Sequence, residues 1–492
     1  MDSKEMYNRM AGYVAIFNKN DRDRNSHLIN NDRVLEWMSE NIPMVDLPDK
    51  IIERAYYFRW WSYRKHIRKS PDGYVITEFM PDVAWAGKHN TINCAAGHHF
   101  YEGRWIKESK YLDEYLSFWF EGSGSVRSYS FWVADAAYKR YLVTGDIAPI
   151  KRHFSDFISN YEAWELERGD DNGLFWQVDD REGMELSMGG TGQRPNINSY
   201  MYADAKAISA MALLLGDNEK AAQFEEKARR IGALMRDILW DDEKGFFKTF
   251  VTEKHRKIQH EKYHWADGAY TEQPLGLCPV PELFGYAPWY YGVMDKDAED
   301  YLRAWRFITD PGYFTGPYGL ATAPVSHPDF MRPHRHECAW DGPSWPFATC
   351  QALGAMARTL RNYPQLDMAG DFMRLVIQYA AAHRLEEIDW IDENYDPLTG
   401  EWIARKRLYE RNDSNKDRGQ YYNHSTFCDL VISDVIGLQF DKNGRVSVHP
   451  LAKDWPYFCL QGIYAHGREL CVMYDKDGSR YGMGAGLTVT VN

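Results

Sequence analysis

Residues 196–240, NINSYMYADAKAISAMALLLGDNEKAAQFEEKARRIGALMRDILW, carry the clearest periodicity in the chain. Met201, Ala205, Ile208, Ala212 and Leu215 recur at the three- to four-residue spacing that puts side chains on one helical face. Gly216-Asp217 interrupts the run, and Ala221, Phe224, Ala228, Ile231, Met235 and Ile238 resume it. Two amphipathic helices joined by so short a break fold back on each other, so this stretch predicts an antiparallel helical hairpin.

The same design recurs on both sides. Upstream, residues 131–164 read as helix, a Gly145-Asp146 break and helix. Downstream, residues 342–360 and 369–383 predict a third hairpin. Weaker helical patterns at 51–67, 107–120, 297–306 and 424–437 bring the expected total to about a dozen helices. Long loops rich in Gly, Pro and aromatics separate the hairpins. That alternation predicts a mainly α chain, an (α/α)6 barrel in which paired helices ring a centre and the loops at one end build a cleft. A tetratricopeptide solenoid would need a fixed 34-residue period, which is absent. After about residue 438 the pattern turns β-rich, with GRVSVHPL, YFCLQGIYAHGRELCVMYD and GLTVTV punctuated by DKNG and DKDG turns. The DKDG glycine comes too early for a calcium-binding loop and no Glu closes it. The expected organisation is an N-terminal arm (1–50), the barrel (51–437) and a small C-terminal β module (438–492).

Composition narrows the partners. A net charge of -13 leaves no basic face for a phosphate backbone, so nucleic acid is not an expected partner. Eighteen Trp, 33 Tyr and 23 Phe supply flat faces on which sugar rings stack. Seven widely spaced cysteines without a CxxC pair argue against a disulfide framework or a zinc-thiolate site. No run approaches 18 apolar residues, so no membrane span is expected and the chain reads as soluble, cytoplasmic or periplasmic. Nothing in the sequence bears on its oligomeric state.

Two acidic motifs point to chemistry. VDDREGMELSMGG (178–190) crowds Asp179, Asp180, Glu182 and Glu185. Like charges this close require either a solvated loop or a carboxyl held protonated. WIDENYDPLTGEW (390–402) sets Asp392, Glu393, Asp396 and Glu401 around a Pro-Leu-Thr-Gly turn. Two such loops, about 200 residues apart, match the needs of glycoside hydrolysis: one protonated carboxyl for the leaving oxygen and one carboxylate across the bond. Between them, HECAWDGPSWPF (336–347) lacks the second His of a zinc-binding HExxH, so neither metal nor cofactor is expected. The Gly-rich EGSGSVRS and GMGAGL lack the strand-to-helix context of a nucleotide site. His98-His99 with Glu102 and Arg104 keeps two rivals open on the same toroid, a sugar epimerase and a polysaccharide lyase. A non-catalytic carbohydrate-binding protein is a third.

The order of motifs resembles glycoside hydrolase family 63 and the related mannosylglycerate hydrolase-like enzymes. NGLFWQVDD, REGMELS, NSYMYADAKAI, AWDGPSW and ENYDPLTG are similar, in that order, to segments of that family, over roughly residues 165–402. ENYDPLTG differs from the family pattern by one Asp-for-Asn change. The resemblance implies an (α/α)6 barrel, an inverting mechanism and a carbohydrate substrate. It carries the general acid onto Glu185 and the general base onto Glu393. A second register, on ERGDDN, would make Asp171 the acid. Arg181 and Asp341 depart from the family's Glu and Arg, so its sugar specificity is not inherited. The expected reading is an exo-acting inverting hydrolase, with Trp105, Trp340 and Trp345 stacking on sugar rings. Arg104, Asp341 and His424 would bind hydroxyls or a charged group.

Overall fold

The computed structural model describes residues 3–23, 28–266, 268–333 and 336–491. The hairpin predicted at 196–240 forms as Pro195–Leu215 and Asn218–Leu234. Pro195 starts the first helix, where its missing N–H costs nothing. Gly216 ends it in the left-handed region (φ 80°), and the Asp217 side chain caps the second helix by accepting from the Lys220 N–H. The 131–164 hairpin closes the same way, with Gly145 at φ 72° between Val133–Thr144 and Ala148–Arg168. The third pairs Pro346–Asn362 with Ala369–Ala381.

Among the described residues, six helices form a closed inner ring. Ala96–Gly103 packs on Val133–Thr144, which packs on Pro195–Leu215; then follow Ala287–Tyr290, Pro346–Asn362 and Cys428–Leu430, which returns to Ala96–Gly103. Outside them lie Lys50–His66, Lys110–Phe120, Ala148–Arg168, Asn218–Leu234, the turns and helix spanning 299–309, and Ala369–Ala381. This is the (α/α)6 barrel that the hairpin pattern predicts. Glu102 seals the closure, its carboxyl accepting from the backbone N–H groups of Phe427, Cys428 and Asp429 at the start of the last inner helix. The inner helices are buried on nearly every face, which is why Pro195–Leu215 and Pro346–Asn362 are dominated by small and apolar residues.

The C-terminal region forms the expected β structure. Tyr457–Ala465, Arg468–Asp475 and Gly486–Val491 pair antiparallel in sequence order. A fourth strand comes from the other end of the chain, Met44–Asp46 pairing with Tyr457–Ala465. Fully buried Asp46 ties the junction together, accepting from Arg480 and from the Tyr481 hydroxyl at 2.8 Å, with Arg9 as a further partner. The segment before the barrel therefore contributes Met44–Asp46 to the sheet, while Ser3–Asn20 and Val34–Asn41 brace the barrel helix Lys50–His66.

Candidate functional site

The loops preceding the inner helices meet in a cleft enclosing about 310 Å³. Cys94 precedes the first inner helix, Tyr129 the second, Glu185 the third and His424 the last, while Trp345 and Phe347 stand at the start of the fifth. The cleft thus sits over converging helix N-termini, where aligned peptide dipoles favour negative groups. Its lining holds five carboxyls (Glu78, Asp180, Glu185, Glu337 and Glu393) against three cations (Arg181, Lys262 and Arg418).

The acidic loop is not a solvated one. Asp179 and Glu182 are buried and structural. Asp179 accepts from the Tyr263 hydroxyl at 2.9 Å, and burial raises its pKa to about 6 against the opposing pull of Arg194. Glu182 is ion-paired to the equally buried Arg194. With these two turned inward, Gly183 at φ 67° and Leu186 at φ 59° swing the chain so that Glu185 lines the cleft. The Trp340 N–H holds the Glu185 carbonyl at 3.0 Å. A left-handed Leu is costly, and its side chain is fully buried against Tyr263 and Tyr270, packing that fixes the turn. Burial, and then the negative charges of Asp180, Asp179 and Glu393, push the Glu185 carboxyl well above the usual range.

Glu393 arrives from the second motif. Tyr395 pairs with Ser344 on one side and Trp402 on the other, and Asp396 to Gly400 form the tight turn. Asp396 and Glu401 stay at the turn, whereas Asp392 and Glu393 are buried. One Glu393 oxygen accepts from Arg418 Nε at 2.8 Å and the other from the Cys338 thiol at 3.0 Å. Arg418 also reaches Glu337, 2.7 Å away, which Arg411 binds as well. Burial opposes ionisation of Glu337, but the two guanidiniums overcome it and hold its pKa near 2.

The cleft gathers some of the positions singled out by the sequence and leaves others out. Glu185, Glu393, Trp340, Trp345 and His424 line the one cleft. The two Trp rings are buried and stacked on each other, centroids 4.6 Å apart, so they form its floor. His424 is buried and neutral, its pKa lowered by burial and then by Arg59, with Nε2 facing the Glu393 carbonyl at 3.2 Å. Asp341 lies behind the wall, bonded to the Tyr270 hydroxyl and the Arg332 N–H. Asp171 sits in an exposed turn, away from the cleft lining. Arg104 and Trp105 are not brought to the cleft; both bind Asp429 at 2.7 Å at the far end of the barrel. His98 and His99, on which the epimerase and lyase readings rest, are buried in the barrel wall, His98 against Trp132 and Phe347 and His99 against the Asn423 carbonyl. Burial lowers both, His99 to about 4.

Glu78 and Arg418 carry no motif and escape a reading of the sequence. Glu78 is buried in the cleft wall, its pKa raised to about 8 by burial against the hydrogen bond donated by Tyr422. Its second oxygen has no partner among the described residues. Among those residues, no three His, Cys, Asp or Glu side chains are placed to hold a metal ion, and no helix is long and apolar enough to cross a membrane.

The signature of the mannosylglycerate hydrolase MGH1-like glycoside hydrolase domain matches residues 88–425. A solved structure titled "Sialidase" is 36% identical over 99% of this chain, with a TM-score of 0.89. A family 78 rhamnosidase of Bacillus sp. GL1 is similar at 13% identity over 88% of this chain (TM-score 0.55). An uncharacterised conserved protein from Thermus thermophilus is similar at 14% identity, covering 73% of this chain and 99% of its own (TM-score 0.52). These last two likenesses concern the fold alone. The chain spans 43% of the length of the sialidase-titled structure and 40% of the rhamnosidase.

Proposed function

The chain belongs to the mannosylglycerate hydrolase MGH1-like glycoside hydrolase family, and from that premise we propose that its cleft hydrolyses a terminal glycosidic bond with inversion, Glu185 acting as general acid and Glu393 as general base. The observation that carries this reading is the pair itself: two carboxyls from distant loops line one cleft, one kept protonated by burial and neighbouring charge, the other ion-paired to Arg418. Glu393 takes a proton from a water whose oxygen attacks the anomeric carbon. The glycosidic C–O bond breaks on the opposite face, and the departing oxygen takes the Glu185 proton. Solvent then restores both groups.

Two features narrow the substrate. About 310 Å³ lies at the small end of the roughly 300–1,000 Å³ of ligand pockets, which favours one terminal sugar at a time. Each cation in the lining already has an acidic neighbour: Arg418 binds Glu393 and Glu337, Lys262 is 2.7 Å from Asp180, and Arg181 is 3.5 Å from it. With Glu185 and Glu78 holding their protons, the other three carboxylates already engage all three cations, which favours a neutral sugar over an acidic one such as a sialic acid. Proton NMR of a reaction run on a panel of neutral glycosides tests the mechanism: the first-formed sugar should carry the anomeric configuration opposite to the substrate. Retained configuration would mean that Glu393 is a nucleophile, and absence of hydrolysis across the panel would remove the glycosidase reading.

A further inference from the structure

Tryptophan is buried almost everywhere in this protein. Of its 18 residues, Trp85 and Trp265 are the two exposed ones, at 47% and 53%. Single exposed aromatics are ordinary on protein surfaces and need no explanation. Two exposed indoles flanking one cleft, in a chain that keeps the other sixteen wholly or partly buried, are a different matter. Trp85 lines the cleft directly. Trp265 lies parallel to the ring of His336, a cleft residue, with centroids 6.0 Å apart and planes 23° apart.

Both rings are held in place. The Arg418 guanidinium lies over Trp85 at 4.9 Å while Phe79 meets it edge-on. Tyr263 packs against Trp265 at 5.7 Å. The supports lead to the two candidate catalytic loops: Arg418 binds Glu393, and Tyr263 bonds Asp179 in the loop of Glu185. The floor, by contrast, is closed by Trp340 and Trp345 stacked on each other, which leaves those rings to end the pocket rather than extend it.

We propose that Trp85 and Trp265 form a leaving-group subsite at the mouth of the cleft, where they stack on the second sugar ring of a neutral oligosaccharide. An indole offers a sugar a broad apolar face for its C–H groups while the ring hydroxyls stay in water, and a pre-positioned ring loses little rotamer freedom on binding. The subsite rests on the glycosidase reading, and makes the substrate an oligosaccharide rather than a small glycoside.

The test uses full-length Glu185→Gln protein on an array of neutral oligosaccharides of two to six residues, printed beside their terminal monosaccharides. Trp85→Ala and Trp265→Ala, each added to that background, should lower the ratio of oligosaccharide to monosaccharide affinity on the order of tenfold. Trp85→Phe and Trp265→Phe should retain most of it, and circular dichroism verifies that all are folded. Unchanged ratios in the Ala variants would overturn the subsite, as would a parent that binds no oligosaccharide more tightly than its terminal monosaccharide. Wild-type protein that hydrolyses no glycan while the rim variants still lose oligosaccharide binding would overturn the glycosidase reading and the leaving-group role with it, and leave Trp85 and Trp265 as a sugar-binding pair.

Discussion

At the cleft end of the barrel, the loops that lead into the inner helices crowd carboxyls together; at the opposite end, arginines sit beside acids of their own. Arg104 binds Asp429 at 2.7 Å, Arg361 binds Asp434 at 2.7 Å, and Arg358 grips Asp295 through both nitrogens. Arg104 follows the first inner helix, and Arg358 and Arg361 close the fifth, where cations suit the negative ends of the peptide dipoles. Those pairs satisfy one another. At the cleft, Glu185 and Glu78 have no ion pair among the described residues, and burial keeps both proton-rich. The contrast teaches where to look for chemistry in a charged barrel: charge that is matched holds the structure, and charge held out of balance is available for work.

The largest effect that would break the contrast is on rate. Glu185→Gln should lose on the order of 10²–10⁴-fold on a sugar–sugar bond and much less on an activated aryl glycoside, whose phenolate leaves without a proton. Glu393→Gln should be crippled on both substrates. Rescue of Glu393→Gln alone by the aryl glycoside would show the two roles exchanged. In pH profiles, the raised Glu185 should supply the alkaline limb: activity persists while it holds its proton and falls as pH rises through its pKa. Glu185→Gln should erase that limb.

At the opposite end, Arg104→Ala should act on stability. It removes the ion-pair partner of buried Asp429, which keeps hydrogen bonds from Trp105 and Ser433, so the loss should be about 3 kcal/mol, the lower end for a broken buried pair, read as a fall in urea midpoint. The folded fraction should keep the wild-type kcat; a catalytic defect at full stability would mean that this end takes part in turnover. Smaller still is the effect of Glu78. Its pKa, about 8 when folded against 4.5 for a free Glu, means that the folded state holds a proton that the unfolded state releases. Its stabilising contribution is complete below pH 4.5 and is lost as pH rises through 8. The Tm difference between Glu78→Gln and wild type should therefore grow in favour of the variant from about pH 5 to about pH 8.5; a constant difference would refute a buried, protonated Glu78. Least of all, Asp171→Asn, in an exposed turn, should leave activity intact and stability within about 0.5 kcal/mol. A large loss of activity there would return the acid role to the second register.

How much of this was readable beforehand depended on how local the signal was. The three hairpins are written in short-range periodicity and in Gly216 and Gly145, whose left-handed turns other residues enter only with strain. The fourth inner helix, Ala287–Tyr290, is too short to show a period and lies among aromatics and prolines. The acidic loops announced themselves by crowding, which singled out Glu185 and Glu393 but equally Asp179, Glu182, Asp396 and Glu401. Only their places in the folded ring separate them: Asp179 and Glu182 are bonded into the wall, Asp396 and Glu401 stay at a turn, and Glu185 and Glu393 line the cleft. Arg104 and Trp105 were misplaced for a geometric reason. The chain leaves the cleft at Cys94, and the eight-residue helix Ala96–Gly103 then rises about 12 Å and delivers them to the other end.

By itself, then, the sequence determined the helical hairpins, the β-rich end and the two acidic loops, because each depends on residues within a few positions of one another. Tertiary structure alone decided which carboxyls share a cleft, that Met44–Asp46 joins a sheet built from residues beyond 456, and that Arg418, Glu78, Trp85 and Trp265 gather round the same opening. Ring closure does this. It brings together loops separated by hundreds of residues, and it withdraws water from some charges while leaving others paired, and neither change is encoded in any one stretch of the chain.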